Sequence, residues 1–299
     1  MSTNRHRDHR FSHEPYLVEP GSTIRLADFR TLPEGGPVDD NQAREWVEGD
    51  QEALGDAQDL LWSTKSRALL IVLQGMDASG KDSLIKHVMS GLNPRGCETY
   101  SFGPPTPEEQ RHHFLWRSVR RLPAKGRIGI FNRSYYEEVI VVRVHPEWLD
   151  AQNIPSGQRG EELWRSRYED INGFERMLTR NGTCILKFFL HLSREEQKKR
   201  FLKRLRRRDK HWKFDANDLR ERAFWDQYVE AYDAALTATN TAWAPWYILP
   251  ADHKWHARAL AADYIAARVR ALGLKLPPIT AERRAELEAA RRRLNEEDE

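Results

Sequence analysis

The residues with the most chemical content are Gly75-Met76-Asp77-Ala78-Ser79-Gly80-Lys81, a G-x-x-x-x-G-K word. Its parts have separate tasks. Glycines let the backbone bend tightly enough for successive N–H groups to point inward at an anion. A helix that starts at the end of the word turns its positive N-terminus to the same anion. Lys81 adds a mobile cation for phosphate oxygens. A chance glycine-rich turn is the alternative reading, and the flanks oppose it. The apolar run 68–73 reads as a strand directly before the word, and residues 82–90 as a helix directly after it. Gly75, Met76, Ala78, Ser79, Gly80, Asp82 and Ser83 are therefore candidate phosphate or nucleotide contacts.

One departure from the usual word is informative. The Ser or Thr that normally follows the lysine as a magnesium ligand is Asp82, and Ser83 comes one position late. Asp77 lies inside the loop, where a carboxylate is a hard oxygen ligand suited to Mg²⁺. The expectation is that Asp77 takes over part of the metal-binding role. A carboxylate that only complements the helix dipole is the other reading, and it suits Asp82 better than Asp77.

Two further segments carry charge to the same end of the molecule. The strand-like residues 127–131 run into Asn132-Arg133-Ser134-Tyr135-Tyr136-Glu137-Glu138. Many phosphate-loop enzymes end their second buried strand in an Asp near the metal. Here Asn132 can orient water or coordinate without charge, Glu137 can restore the negative charge, and Arg133 would stand at the mouth of the sheet. An ordinary surface ion pair is the plain alternative for Arg133. The other segment is Lys198-Lys199-Arg200-Phe201-Leu202-Lys203-Arg204-Leu205-Arg206-Arg207-Arg208, followed by Asp209-Lys210-His211-Trp212-Lys213. So many cations repel one another unless anions approach. A solvated face and a nucleic-acid surface are both readings of it. In a chain with a phosphate loop, a mobile lid closing on phosphates is the better one. His112-His113 and Asp252-His253 with His256 lack a complete ligand set at a metal-site spacing.

The elements that must hold these residues alternate. Strands are predicted at 68–73, 98–102, 127–131, 183–192 and 246–249. Helices are predicted at 41–65, 82–90, 107–121, 160–179, 193–207, 217–239, 255–272 and 280–294. That alternation predicts a parallel sheet covered on both faces, an α/β/α fold. Trp225, Tyr228, Val229, Tyr232, Ala235 and Leu236 recur at helical spacing and read as core. Residues 1–40 read as an irregular arm, 41–275 as the main domain with a lid at about 200–216, and 276–299 as a charged C-terminal helix.

Composition narrows the class. The chain has 299 residues, 48 basic and 45 acidic, for a net charge of +3. That balance demands no nucleic-acid partner; only the local clustering matters. No apolar run approaches membrane-spanning length. Cys97 and Cys184 are the only cysteines, too few for a disulfide framework, so a cytoplasmic setting with both as small buried apolar residues is expected.

Several words together resemble the polyphosphate kinase 2 family. They are Gly75-Met76-Asp77-Ala78-Ser79-Gly80-Lys81-Asp82, Leu92-Asn93-Pro94-Arg95-Gly96, Pro105-Thr106-Pro107-Glu108-Glu109 with Leu115-Trp116-Arg117, and Phe131-Asn132-Arg133-Ser134-Tyr135-Tyr136-Glu137. Trp212-Lys213-Phe214, Ala244-Pro245-Trp246 and Pro250-Ala251-Asp252-His253-Lys254-Trp255 complete the series. The resemblance implies a P-loop, thymidylate-kinase-like fold with a helical lid. It implies Mg²⁺-dependent transfer, with Mn²⁺ as a substitute metal, between inorganic polyphosphate and AMP, ADP or ATP, with guanine nucleotides as further candidates. It implies catalytic roles for Asp77, Lys81 and Arg133, and for one lid arginine that aligns with Arg204 or its neighbours Arg200 and Arg208; Asn132 and Glu137 are expected to join Asp77 in catalysis and as metal contacts, and Arg200, Arg208 and Lys213 are expected phosphate contacts. Asn132 with Glu137, where most of the family has Asp at the first position, looks like the subgroup that accepts both AMP and ADP. The resemblance also implies a homo-oligomer, dimer or tetramer, with no membrane and no nucleic acid as partner. An ATP-dependent kinase of a nucleotide or other small acceptor is the second reading. A nucleic-acid module built on 198–213 is the third, and it leaves Asp77 and Lys81 idle.

Overall fold

A computed structural model describes residues 16–35, 37, 39–152, 154–155, 159–213, 215–276 and 278–296, without the side chains of 210, 212 and 213. In chain order the first half comprises α1 (Asp40–Thr64), β1 (Ala68–Gln74), α2 (Lys81–Val88), β2 (Cys97–Ser101), α3 (Pro107–Gln110), α4 (Trp116–Val119), β3 (Ile128–Asn132) and α5 (Val141–Val144). The second half comprises α6 (Glu161–Arg180), β4 (Thr183–His191), α7 (Arg194–Arg206), α8 (Asn217–Ala223), α9 (Trp225–Thr239), β5 (Trp246–Pro250), α10 (Lys254–Ala271) and α11 (Ala281–Glu296).

No residue of β1 is more than 1% exposed. A strand buried on both faces needs cover on both, and the pleat divides its side chains between two cores. Leu69, Ile71 and Leu73 join Leu54 and Leu61 of α1, Leu84 and Val88 of α2, and Leu260 and Ile265 of α10. Leu70 and Val72 join Tyr135, Tyr136, Ile171 and Phe174 of α6, and Tyr232 and Leu236 of α9. The five strands are all parallel in the order β2-β3-β1-β4-β5. β1 sits at the centre, where the chain first builds β3 and β2 on one side and then β4 and β5 on the other. In such sheets ligands bind beyond the carboxyl ends of the strands at this switch point.

All five predicted strands are present within a residue or two. Two helices are broken where continuous ones are predicted. In 107–121 a Thr106–Glu109 capping box starts α3, but the chain turns at 111–115 before α4. Burial of Leu115, Arg117 and Ser118 overrides the local helical preference there. In 217–239 the chain pauses at Phe224, whose ring packs edge-on against His145 at 4.9 Å. Of the two cysteines, Cys184 is buried, Cys97 is half-buried, and neither forms a disulfide.

Residues 1–15 of the expected arm and Phe214 of the expected lid lie outside the described residues. Residues 16–18 pair with β5 in antiparallel fashion, with Val18 N–H on the Trp246 carbonyl and Ile248 N–H on the Tyr16 carbonyl. Further on, Leu26 N–H donates to Asp233 and Ile24 N–H to Thr237, both on α9. Among the described residues no helix is long and apolar enough to cross a membrane.

Candidate active site

Between β1 and α2 the chain folds around the side chain of Lys81. Gly75, Ala78 and Gly80 all have positive φ, at 144°, 62° and 116°. Gly75 has a second constraint, since a Cβ there would lie 2.7 Å from the Leu190 carbonyl oxygen of β4. Lys81 is buried, and its Nζ donates to the Gly75 carbonyl at 2.6 Å and the Met76 carbonyl at 3.3 Å. Burial, and then the nearby Arg133, lower its pKa to about 8; Asp77, Glu137 and Asp82 oppose the shift.

Asp77 accepts from Arg133 Nη2 at 2.8 Å. Arg133 also reaches Glu137 at 3.7 Å, so the guanidinium bridges the loop carboxylate and the turn carboxylate. Those carboxylates hold the Arg133 pKa above the usual arginine value. Glu137 is largely buried, which raises its pKa although Arg133 and Lys81 oppose the change. With its amide turned so that the nitrogen faces the carboxylate, Gln74 donates to Glu137 Oε1 at 3.1 Å. Asn132 Nδ2 donates to Asp82 Oδ1 at 2.6 Å and to Ser101 Oγ at 3.2 Å. Among the described residues, buried Asn132 Oδ1 finds no hydrogen-bond partner. Ser83 Oγ accepts from Arg258 of α10 at 2.6 Å.

Arg200 behaves differently from a phosphate-facing arginine. Nη1 donates to the Ala78 and Ser79 carbonyls, both at 2.8 Å. Nη2 donates to the Ala251 and Asp252 carbonyls at 2.6 and 3.0 Å, and Nε to Glu196 at 2.9 Å. Four carbonyls and a carboxylate thus engage this guanidinium, which ties α7 to the phosphate loop and to the segment after β5. Gln197 adds a bond to the Asp77 carbonyl at 2.9 Å. Arg204 is ion-paired with Asp218 at 3.2 Å and lies over the Phe201 ring. Arg208 is exposed at the start of a 3₁₀ turn, and the Lys213 side chain is among those not described.

These groups line a cleft of about 680 Å³ between the loop and α7. Asp77, Ser79, Lys81, Asp82, Asn132, Arg133 and Arg204 are all on its wall; Glu137 reaches it through Arg133. Among the described residues eight Lys and Arg line it, Arg200 included, against three carboxylates, Asp77, Asp82 and Asp218. Lys203, one of the cations of the expected lid, also lines it, as do Lys86 and Lys254, to which sequence reasoning gave no role. Lys254 opens α10, four residues after β5 ends at Pro250, and in a parallel sheet the residues after strand carboxyl ends line the site. That signal was in the chain. Burial and the cations Arg200, Arg204 and Arg258 lower the Lys254 pKa to about 8. A second cleft, about 420 Å³, opens beside β3 against Phe114, Arg117, Glu138 and Arg167. Among the described residues no three His, Cys, Asp or Glu side chains are grouped to hold a metal by themselves.

A central parallel sheet with a lysine-filled loop after β1, opening into a strongly cationic cleft, defines a phosphotransferase of the phosphate-loop class. Comparison narrows the class. The family profile Polyphosphate kinase 2 matches residues 38–272, and the chain belongs to that family. The ADP-polyphosphate phosphotransferase of Rhodopseudomonas palustris is 48% identical over 244 residues, covering 81% of this chain and 84% of its own. The AMP/ADP-polyphosphate phosphotransferase of Meiothermus ruber is 43% identical over 285 residues, covering 91% and 99%. The crystal structure of polyphosphate kinase 2 from Arthrobacter aurescens superposes with a TM-score of 0.76 at 33% identity, covering 92% of this chain and 99% of that one.

Proposed function

We propose that the cleft holds polyphosphate along the 75–81 loop and α7, and that Arg133 meets the phosphoryl group as it passes to or from AMP or ADP. The enzyme is a polyphosphate:nucleotide phosphotransferase with AMP, ADP and ATP as its nucleotides. The observation that carries the residue roles is the convergence of Lys81, Arg133 and Arg204 on one cleft. Charge spread over a loose transition state is stabilised by fixed cations, and each is worth on the order of 3 kcal/mol. The attacking phosphate oxygen is already ionised at neutral pH, so no strong general base is needed. Glu137 and Asp77 hold Arg133 from two sides and so orient it rather than act on a proton. The second cleft starts at Glu138, next in the chain to Glu137, and its Phe114 and Arg117 wall suits the nucleoside of the acceptor.

Magnesium fits the residues present. Mg²⁺ is held by one or two carboxylates together with substrate phosphates, not by an all-protein cage. Asp77 and Asp82 offer carboxylate oxygen, and Asn132 offers a buried carbonyl oxygen that has no donor among the described residues. The ion supplies neutralisation of phosphate oxygens when bound. Mn²⁺ satisfies the same donors. The layering is that of thymidylate kinases, with α7 and the turn that follows it serving as the lid over the donor chain.

The test is direct. Purified protein with polyphosphate, Mg²⁺ and either AMP or ADP makes the more phosphorylated nucleotide, read by chromatography, and chelation of Mg²⁺ stops it. No product with either acceptor would overturn the assignment. The same assay with ATP as sole donor to a non-nucleotide acceptor separates the ATP-dependent alternative.

A further inference from the structure

Behind the cleft, in the core on the α6 side of the sheet, lies a pair of opposite charges that the transfer scheme does not use. Lys187 at the centre of β4 and Glu175 of α6 are both fully buried, with Nζ 2.7 Å from Oε2. Every hydrogen-bonding position of the lysine is filled: Glu175, the Tyr136 hydroxyl at 2.9 Å and the Thr239 carbonyl at 2.7 Å. The other oxygen of Glu175 accepts from the hydroxyls of Tyr135 and Tyr136, at 2.8 and 2.9 Å. Both tyrosines are fully buried.

Where those tyrosines sit gives the pair its meaning. Tyr135 to Glu138 form a single 3₁₀ turn, and Arg133 precedes it with φ of 63°, a left-handed conformation that a non-glycine residue adopts only under constraint. Arg133, two residues before this turn, enters the cleft and is met there by Glu137 from within the turn, while Tyr135 and Tyr136 leave the turn for the core. A buried ion pair is poor support for stability, since well-packed apolar side chains do as well or better. What it fixes is geometry, because each partner's directions are fully specified.

We propose that Glu175 and Lys187 are positioning residues for phosphoryl transfer: through the Tyr135 and Tyr136 hydroxyls they set the turn that carries Glu137 and follows Arg133, and so the direction in which Arg133 enters the cleft. The inference rests on Arg133 meeting the transferred group. Thr239 ends α9, so the same node also ties the turn to the helix against which the N-terminal segment is fastened.

Two variants test it, each assayed beside wild type with polyphosphate and ADP. The first combines Tyr135→Phe, Tyr136→Phe, Glu175→Leu and Lys187→Met, which removes the charges and the hydroxyls together. The second carries only Tyr135→Phe and Tyr136→Phe and leaves the ion pair in place. ADP binding by calorimetry gives the number of competent sites, so kcat is expressed per site. Expected is a folded protein by circular dichroism, ADP affinity within about threefold of wild type, and kcat per site lower by roughly ten- to hundredfold, the cost of a displaced catalytic group. If the first variant does not fold, the second carries the same expectation. A folded variant with wild-type kcat per site overturns the proposal, as does one whose affinity falls in step with kcat. A wild-type enzyme that makes no ATP overturns the assigned activity instead, and the inference with it.

Discussion

Lys81 is a cation kept in a place that disfavours charge. Its pKa of about 8 means that it is charged at neutral pH and loses its proton as the solution becomes mildly alkaline. The sign follows. If the protonated form is the working one, kcat/KM, which reports the free enzyme, is level below about pH 8 and falls above it. A pH profile of wild type should show that downward bend, and Lys81→Arg, slower throughout, should lack it. Lys81→Ala should stay folded by circular dichroism and lose about a hundredfold or more in turnover, as removal of one transition-state cation does. Gly75→Ala is expected to fail by sterics: it meets a Leu190 backbone oxygen that cannot swing away, so soluble yield and melting temperature should both drop. Residue identity carried much of this in the sequence. Asp77, Lys81 and Arg133 were legible because a strand end leaves few places for them to go. The bonds of Arg200 to four backbone carbonyls were not legible, because composition does not tell which partners a guanidinium finds.

At the scale of elements, Arg200 is the point where α7, the phosphate loop and the segment after β5 meet. Arg200→Met strands buried carbonyls, at a cost on the order of 3 kcal/mol. The expected readouts are a lower melting temperature and faster hydrogen exchange across residues 75–81, together with a higher KM for polyphosphate. Unchanged exchange in that loop would mean that the loop holds its shape without α7. The strands were readable since an unbroken apolar run between turn signals has few other fates. The broken helices at 107–121 and 217–239 were not, because what stops them is tertiary: Leu115 and Arg117 turned inward, Phe224 set against His145. Lys254, though part of the 250–255 word, received no role for a related reason, since its place on the cleft follows from strand order.

For the molecule as a whole, a net charge of +3 hides a strong asymmetry. Among the described residues the cleft concentrates eight cations against three carboxylates, so its field draws in a polyanion from beyond contact distance. Salt screens that field over a Debye length of about 8 Å at physiological ionic strength. Raising salt from about 0.05 to 0.5 M should therefore lower kcat/KM for polyphosphate by roughly tenfold or more while leaving kcat nearly unchanged. Steady-state kinetics across a salt series reads this directly, and a flat series would show that the cleft does not attract its donor electrostatically.

The short antiparallel pairing of residues 16–18 with β5 has a consequence for handling the protein. β5 is the border of the sheet, and an uncovered border offers a row of main-chain donors and acceptors to any stranger that can extend itself beside it. The opening segment occupies part of that row. A version trimmed to begin after Ile24 would keep every group of the cleft and still leave solution sooner, by recruiting its own neighbours into the gap.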